Sequence, residues 1–270
     1  MSEYIEAGNE RLHYLKYGEG KRLLLCFHGY ANNASVFAAF EPYLRSDFTI
    51  ISIDLPHHGK TKWTRGKQLR RSDLSGLMEA LMLRFKVEKL SLMGYSMGGR
   101  VCLTIVEMMP EKIENVLLIA SDGLVFSPLY FAATRTFFGK RLFRSFLGNP
   151  RKYMKYIEWM RSRKWIDESR YKFAMYYLGS ETDRSFLLHV WSDMSMIVPN
   201  MKKLRSAVRD HQIPVHIFMG HFDRVIPLRH AQRFKKGLDS VKLFVVEKGH
   251  RVFDSDTIPQ MAKCLNDRTC

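Results

Sequence analysis

The sequence predicts an α/β protein: a doubly wound, mostly parallel sheet of eight strands, with a helical segment inserted after the sixth strand. Three observations carry this expectation. Short continuous apolar runs, such as residues 23–27 and 115–120, have the length of strands buried on both faces and alternate with stretches of helical spacing. One strand-to-helix junction reads Gly94-Tyr95-Ser96-Met97-Gly98, a sharp turn with glycine where a side chain would collide with backbone. Finally, the stretch from Asp122 to about Asn200 has helical patterning and no strand-like run.

The elements follow in order. Residues 4–7 and 12–17 alternate loosely around Gly8-Asn9, which predicts a β-hairpin. The apolar run at 23–27 ends in His28-Gly29-Tyr30, and a helix is expected at about 35–44. A strand at 48–53 runs into the turn-rich Asp54-Leu55-Pro56-His57-His58-Gly59. Leu74, Leu77, Met78, Leu81, Met82 and Phe85 recur at helical spacing across 73–85. Residues 89–93 form the strand that feeds the glycine turn, and 97–109 its helix, closed by Pro110. After the strand at 115–120 and the insertion come strands at 214–219 and 241–246, a helix between them around 228–237, and a last helix near 258–265.

This divides the chain into a sheet domain, residues 1–121 and 201–270, and a helical cap or lid, residues 122–200. A cap so placed would cover the carboxyl edge of the sheet, where open α/β sheets bind ligands. Residues 126–191 hold 17 of the 34 aromatic residues. Most are read as the cap's own core, with some rings turned toward a ligand.

Composition narrows the class. A chain of 270 residues, 46% hydrophobic and 26% charged, is globular and not disordered. Four cysteines include no C-x-x-C pair, and Cys26 and Cys102 lie in apolar segments, so buried free thiols are expected there. The first residues lack the apolar core of a signal peptide, and no apolar run approaches the roughly 18 residues of a membrane span, so the expected location is cytoplasmic. The net charge of +16 is concentrated: residues 135–172 carry twelve Lys/Arg against three acids, and residues 60–71 carry six against none. Phe137, Phe138, Phe143 and Phe146 stand among Arg135, Lys140, Arg141 and Arg144, a pattern that suits peripheral contact with an anionic membrane. No nucleic-acid module is recognisable, and none is expected to bind. The charge alone is equally consistent with a solvated basic surface.

Gly-x-Ser-x-Gly between strand and helix is the arrangement that lifts a nucleophilic serine above a sheet edge. A serine hydroxyl needs a base to take its proton and an acid to orient that base. His250, in Lys248-Gly249-His250, directly follows the last strand. Asp223 follows the preceding strand at the same edge. Asp122, at the end of the strand after the glycine turn, is a rival acid, less favoured because the insertion begins there. Two aimed N–H donors would stabilise a tetrahedral intermediate: the backbone of Met97 at the helix start and that of Tyr30 in the loop after residue 27. His28, Gly29 and Tyr95 are candidates to line the substrate pocket, with His28 also read as shaping its loop. His57, His58 and His221 share the edge and are within reach of a substrate, although scattered histidines near a site are more often structural. No spacing resembles a metal set, and no metal or cofactor is expected.

Together His28-Gly29, Asp54-Leu-Pro-His-His-Gly59, Gly94-Tyr-Ser-Met-Gly-Gly99, Gly220-x-x-Asp223 and Gly249-His250 resemble the capped α/β-hydrolase fold family, in order and over essentially the whole chain. The resemblance implies Ser96 as nucleophile, Asp223 as acid, His250 as base, and Tyr30 and Met97 as oxyanion donors. Ser96 argues against the relatives that carry Asp there, the dehalogenases and epoxide hydrolases. One departure is noted at His58, where relatives usually have glycine. The expected activity is hydrolysis of a small or medium apolar acyl ester. The alternatives are a C–C bond hydrolase, a lyase like the menaquinone-pathway synthase acting on an anionic substrate, and a non-catalytic binding protein on this scaffold. Substrate identity and oligomeric state stay open.

Overall fold

The structure, a computed structural model, describes residues 2–165, 171, 175 and 178–266. Its strands are β1 (Ser2–Ala7), β2 (Glu10–Tyr17), β3 (Arg22–Phe27), β4 (Phe48–Ile53), β5 (Leu90–Tyr95), β6 (Ile113–Ile119), β7 (Val215–Gly220) and β8 (Val241–Val246). They form one sheet in the order β1-β2-β4-β3-β5-β6-β7-β8. The β1–β2 hairpin and the β2–β4 pairing are antiparallel, and every other pairing is parallel. This is the expected doubly wound, mostly parallel eight-stranded sheet. β4, β5 and β7 are buried along their whole length, which explains their unbroken apolar runs.

Helices cover both faces. On one face Met93 and Tyr95 join Leu24, Cys26, Phe48, Leu117 and Ile119 in a core with α10 (Ile258–Asn266), through Ile258, Met261 and Leu265. The alternate residue Gly94 faces the other way, against α3 (Met97–Met108). α2 (Arg71–Phe85) and α8 (Met201–Asp210) pack beside α3 on that side. The helix expected at about 35–44 is instead a 3-10 segment, Ala34–Phe40, followed by the short α1 (Glu41–Leu44). Pro42 lacks the N–H that a continuous α-helix would donate to the preceding turn. α9 (Arg229–Lys235) links β7 to β8. Cys26 and Cys102 are buried free thiols, and burial pushes both upward in pKa.

The chain divides into two compact units, one of Met1–Thr64, Leu69–Phe126 and Ile197–Cys270, the other of Arg65–Gln68 and Ser127–Met196. Residues 122–126 and 197–200 thus group with the sheet. The second unit contains α4 (Pro128–Arg135), α5 (Phe137–Gly148), α6 (Met154–Ser162) and α7 (Glu181–Asp193). Phe143 of α5 stacks on Trp191 of α7 with centroids 5.2 Å apart, and the Tyr130 hydroxyl donates to the Trp191 carbonyl. Arg184 Nε donates to the Leu147 carbonyl at 2.8 Å, satisfying an acceptor in the last turn of α5. Residues 65–68 join this unit through Gly66 N–H to Asp193 Oδ2 (3.0 Å) and Gln68 Nε2 to Ser195 Oγ (2.8 Å). Within the expected insertion, residues 166–170, 172–174, 176 and 177 lie outside the described residues, as does Cys270. Among the described residues no helix is long and apolar enough to cross a membrane.

Candidate active site

β5 ends at Ser96, whose backbone stands at φ 51°, ψ −116°, a conformation that costs a non-glycine residue about 1–3 kcal/mol. Three hydrogen bonds hold it there. Its N–H donates to the Ile119 carbonyl at 2.9 Å, and its carbonyl accepts from Gly99 N (3.0 Å) and Asp122 N (2.9 Å). Two of the three partners lie at or just beyond the end of β6. The glycines behave as the sequence requires: a Cβ on Gly98 would land on the Phe27 carbonyl, and one on Gly94 on the backbone of Gly99. The turn exists because strand and helix nearly touch.

Ser96, His250 and Asp223 come together although 127 residues separate the first from the acid. Ser96 Oγ is 3.0 Å from His250 Nε2, and His250 Nδ1 is 2.8 Å from Asp223 Oδ2. The network assigns the tautomer: Nδ1–H donates to the carboxylate, leaving Nε2 to accept from the hydroxyl. The Asp223 side chain is fully buried, and its Oδ1 accepts from Val225 N (2.8 Å) and Ile226 N (2.9 Å). Those bonds fix the carboxylate plane. The loops that carry acid and base are registered on each other, with His221 N–H donating to Val246 O and Phe222 N–H to Lys248 O. Gly220 lets them pass, since a Cβ there would strike the Lys248 and Gly249 carbonyls. Tyr95 lies beside the His250 ring, 5.6 Å between centroids, and packs edge-on against Phe253. Such a chain can withdraw the hydroxyl proton and hold the resulting imidazolium against a buried carboxylate.

The loop after β3 runs against this serine. A Cβ built on Gly29 would lie 3.1 Å from Ser96 Cβ, so the backbone of His28-Gly29-Tyr30 passes directly over it. Met97 opens α3, and its N–H is among the four that a helix leaves without an internal acceptor. His28 is fully buried. Its Nδ1 donates to Gly29 O (2.8 Å), while its Nε2 accepts from Leu55 N (3.0 Å). His28 therefore ties the loop after β3 to the loop after β4 and offers no atom to a ligand, which corrects its reading as a pocket residue and keeps its reading as a loop shaper. His58 repeats the device, with Nδ1 to Pro56 O and Ala31 N donating to Nε2. Burial pushes the pKa of His28 down to about 3 and of His58 to about 4. Beyond burial the two rings differ: the His58 charge lowers His28 further, and the Pro56 carbonyl partly restores His58.

The departure noted at His58 falls one residue earlier. His57 has φ 68° and Gly59 φ 54°, whereas His58 is absent from the positive-φ residues. A glycine is called for at the left-handed position, which His57 occupies. Gly59 is obligatory for a second reason, because a Cβ there would overlap the Asp54 carboxylate.

A second Ser–His–Asp chain, not foreseen from the sequence, lies at the hairpin edge. Ser2 Oγ is 2.7 Å from His13 Nε2, and His13 Nδ1 is 2.6 Å from Asp54 Oδ2. Asp54 also accepts from Ala34 N at 2.6 Å and Lys60 N at 2.9 Å. Its work is to pin the loops that follow β3 and β4. Ser2 sits within β1 and, unlike Ser96, does not open a helix whose first N–H groups could face an oxyanion.

Asp122 does not bond His250. Its carboxylate accepts from Gly123 N (2.7 Å) and lies 3.5 Å from Arg100 Nη1. His221 is exposed, 3.8 Å from Glu247. Among the described residues no cluster of His, Cys, Asp or Glu could hold a metal.

Comparison with known proteins bears on the fold. The family described as alpha/beta hydrolase fold matches residues 22–255. The dihydrolipoyllysine-residue acetyltransferase component of the acetoin cleaving system of Pseudomonas putida is 27% identical over 261 residues, 92% of this chain and 64% of that protein. A pimeloyl-[acyl-carrier protein] methyl ester esterase of Vibrio parahaemolyticus is 29% identical over 111 residues, 41% of each chain. The chain thus spans less than two thirds of the length of these curated relatives. Among solved structures, an esterase from Exiguobacterium antarcticum superimposes with a TM-score of 0.67 over 100% of both chains, at 16% identity.

Proposed function

The chain belongs to the α/β-hydrolase fold family, and on that premise we propose that it is a serine hydrolase that cleaves carboxylic esters of small or medium apolar acyl groups through an acyl-enzyme. Ser96 Oγ attacks the ester carbonyl carbon while His250 Nε2 takes its proton. The carbonyl oxygen becomes an oxyanion between the N–H groups of Met97 and Tyr30. Collapse breaks the C–O bond, and the leaving alkoxide takes the proton from His250. Water then repeats the sequence on the acyl-enzyme, with His250 as base, and releases the acid. Asp223 holds the tautomer and faces the imidazolium.

One observation carries the reading: the unbroken chain Ser96–His250–Asp223, with the acid locked by two further N–H donors. The strained Ser96 backbone supports it over a mere binding module, since strain of this kind persists where function uses it. Arg100 bears on the alternatives with anionic substrates. It is 5% exposed and turned to Asp122, which favours a neutral ester over a reaction that needs a presented cation.

The test is a series of p-nitrophenyl esters of increasing acyl length, with Ser96→Ala alongside. Turnover is expected for the shorter members, and Ser96→Ala should lower kcat by about 10⁶-fold where chemistry limits. Failure to hydrolyse any member, or turnover that survives Ser96→Ala, would overturn the proposal.

A further inference from the structure

We infer that the helical pair α4–α5 is a docking surface for an anionic lipid bilayer. The argument starts from which residues α5 leaves in water. Its inner face is spent inside the unit: Phe143 on Trp191, Phe146 on Tyr153 and Leu147 buried. That should leave the outer face polar. Instead Phe137 is 74% exposed, Phe138 80% and Leu142 60%. On α4, Leu129 (76%) and Phe131 (41%) are exposed as well. Phe137 and Phe138 meet edge to face at 5.4 Å, and Phe138 and Leu142 stand four apart on one side of the helix. A soluble surface rarely exposes so many large apolar groups together without a partner for them.

Charge selects the partner. Residues 123–157 contain seven Lys/Arg and no Asp or Glu. Around α5 these are Arg135, Lys140, Arg141 and Arg144, with the Arg135 guanidinium over the Phe131 ring at 5.7 Å. At 100° per residue, Phe137 stands between Arg144 and Arg141 in the basic sector that Lys140 completes, and Phe138 and Leu142 adjoin that sector. Long basic side chains beside exposed rings suit an interface where rings enter the acyl boundary and cations reach lipid phosphates and carboxylates. A second copy of this chain would bring the same positive charges face to face. A nucleic acid would use the cations and leave the rings in water. The bilayer uses both.

The test is sedimentation with sucrose-loaded vesicles, either pure phosphatidylcholine or with about a third phosphatidylserine. The proteins are the full chain, Phe137→Ser/Phe138→Ser, and Lys140→Gln/Arg141→Gln/Arg144→Gln. All five side chains project into solvent, and thermal melting checks that each variant folds. The unaltered chain should pellet with anionic vesicles at low salt and be released by high salt. The charge variant should partition about 100-fold less strongly, some fivefold per cation. The phenylalanine variant should lose at least about tenfold. Equal binding to neutral vesicles, or no binding to anionic ones, would overturn the inference. So would binding indifferent to the phenylalanines, which would suit a nucleic acid, or self-association in the absence of lipid that the phenylalanine variant abolishes. If the phenylalanine variant does not fold, the charge variant and the salt dependence decide. The readout is binding, so it is independent of any esterase activity.

Discussion

Asp122 holds Ser96 through its backbone, with Asp122 N–H donating to the Ser96 carbonyl at 2.9 Å, while its carboxylate faces Arg100 and Gly123. Two aspartates therefore serve the same turn in different ways. Asp223 reaches His250 by side chain and Asp122 reaches the serine by main chain. Replacing Asp122 by Asn keeps its N–H and should change kcat by less than about tenfold, whereas Asp223→Asn should cost on the order of 10⁴ by losing control of the tautomer. Steady-state kinetics on both variants decide the assignment. The reverse order of effects would name Asp122 as the acid.

Acid stability should depend on His28 and His58. The native protein keeps them neutral down to about 3 and about 4, while the unfolded chain protonates them near 6.5. Between those values the unfolded state binds more protons, so this contribution is fully present above about pH 6.5 and is lost as pH falls through 6 and 5 toward 4. The melting temperature should drop across that range, and His58→Gln should flatten the slope. An unaltered slope in that variant would contradict the assignment.

The loop after β4 yields opposite expectations for adjacent histidines. At His57 a glycine relieves the left-handed backbone at some cost in unfolded-chain entropy, so His57→Gly should range from neutral to about 1 kcal/mol stabilising. At His58 the same change removes a buried ring and its bonds to Pro56 and Ala31, and should destabilise by at least about 2 kcal/mol. Urea denaturation of the two variants checks the pair.

Asp54 should matter for both stability and turnover without touching substrate. Asp54→Ala strands His13 Nδ1 and the N–H groups of Ala34 and Lys60, at a cost of about 3 kcal/mol. Because Ala34 follows the loop that passes over Ser96, kcat should fall while Ser2→Ala leaves it unchanged. Equal losses in the two variants would point to a role for Ser2 that the structure does not support.

Much of this was legible in the chain. The continuous apolar runs marked the parallel strands, because a strand covered on both faces has no polar side to alternate with. Ser96, Asp223 and His250 each stand just past a strand end, and parallel strands bring those ends to one edge. The Ser2–His13–Asp54 chain could not be read, since it depends on β2 lying beside β4, and strand order leaves no trace in local spacing. Positive φ at His57 was likewise hidden, because residue type alone does not report a left-handed backbone that its surroundings enforce. Residues 65–68 fall within the stretch 1–121 assigned to the sheet domain, and contacts distant in sequence, Gly66 to Asp193 and Gln68 to Ser195, reveal the unit they join.

Ser2 and Ser96 each stand within 3.0 Å of a histidine nitrogen backed by an aspartate, and of the two it is Ser96 that opens a helix and lies beneath a loop backbone. The most direct test of its assignment as nucleophile is to treat the folded protein with a fluorophosphonate and locate the adduct by peptide mass spectrometry. A single adduct on Ser96, lost in Ser96→Ala and in His250→Ala, is the predicted result. An adduct on Ser2, labelling that survives Ser96→Ala, or no labelling of the folded protein would contradict it.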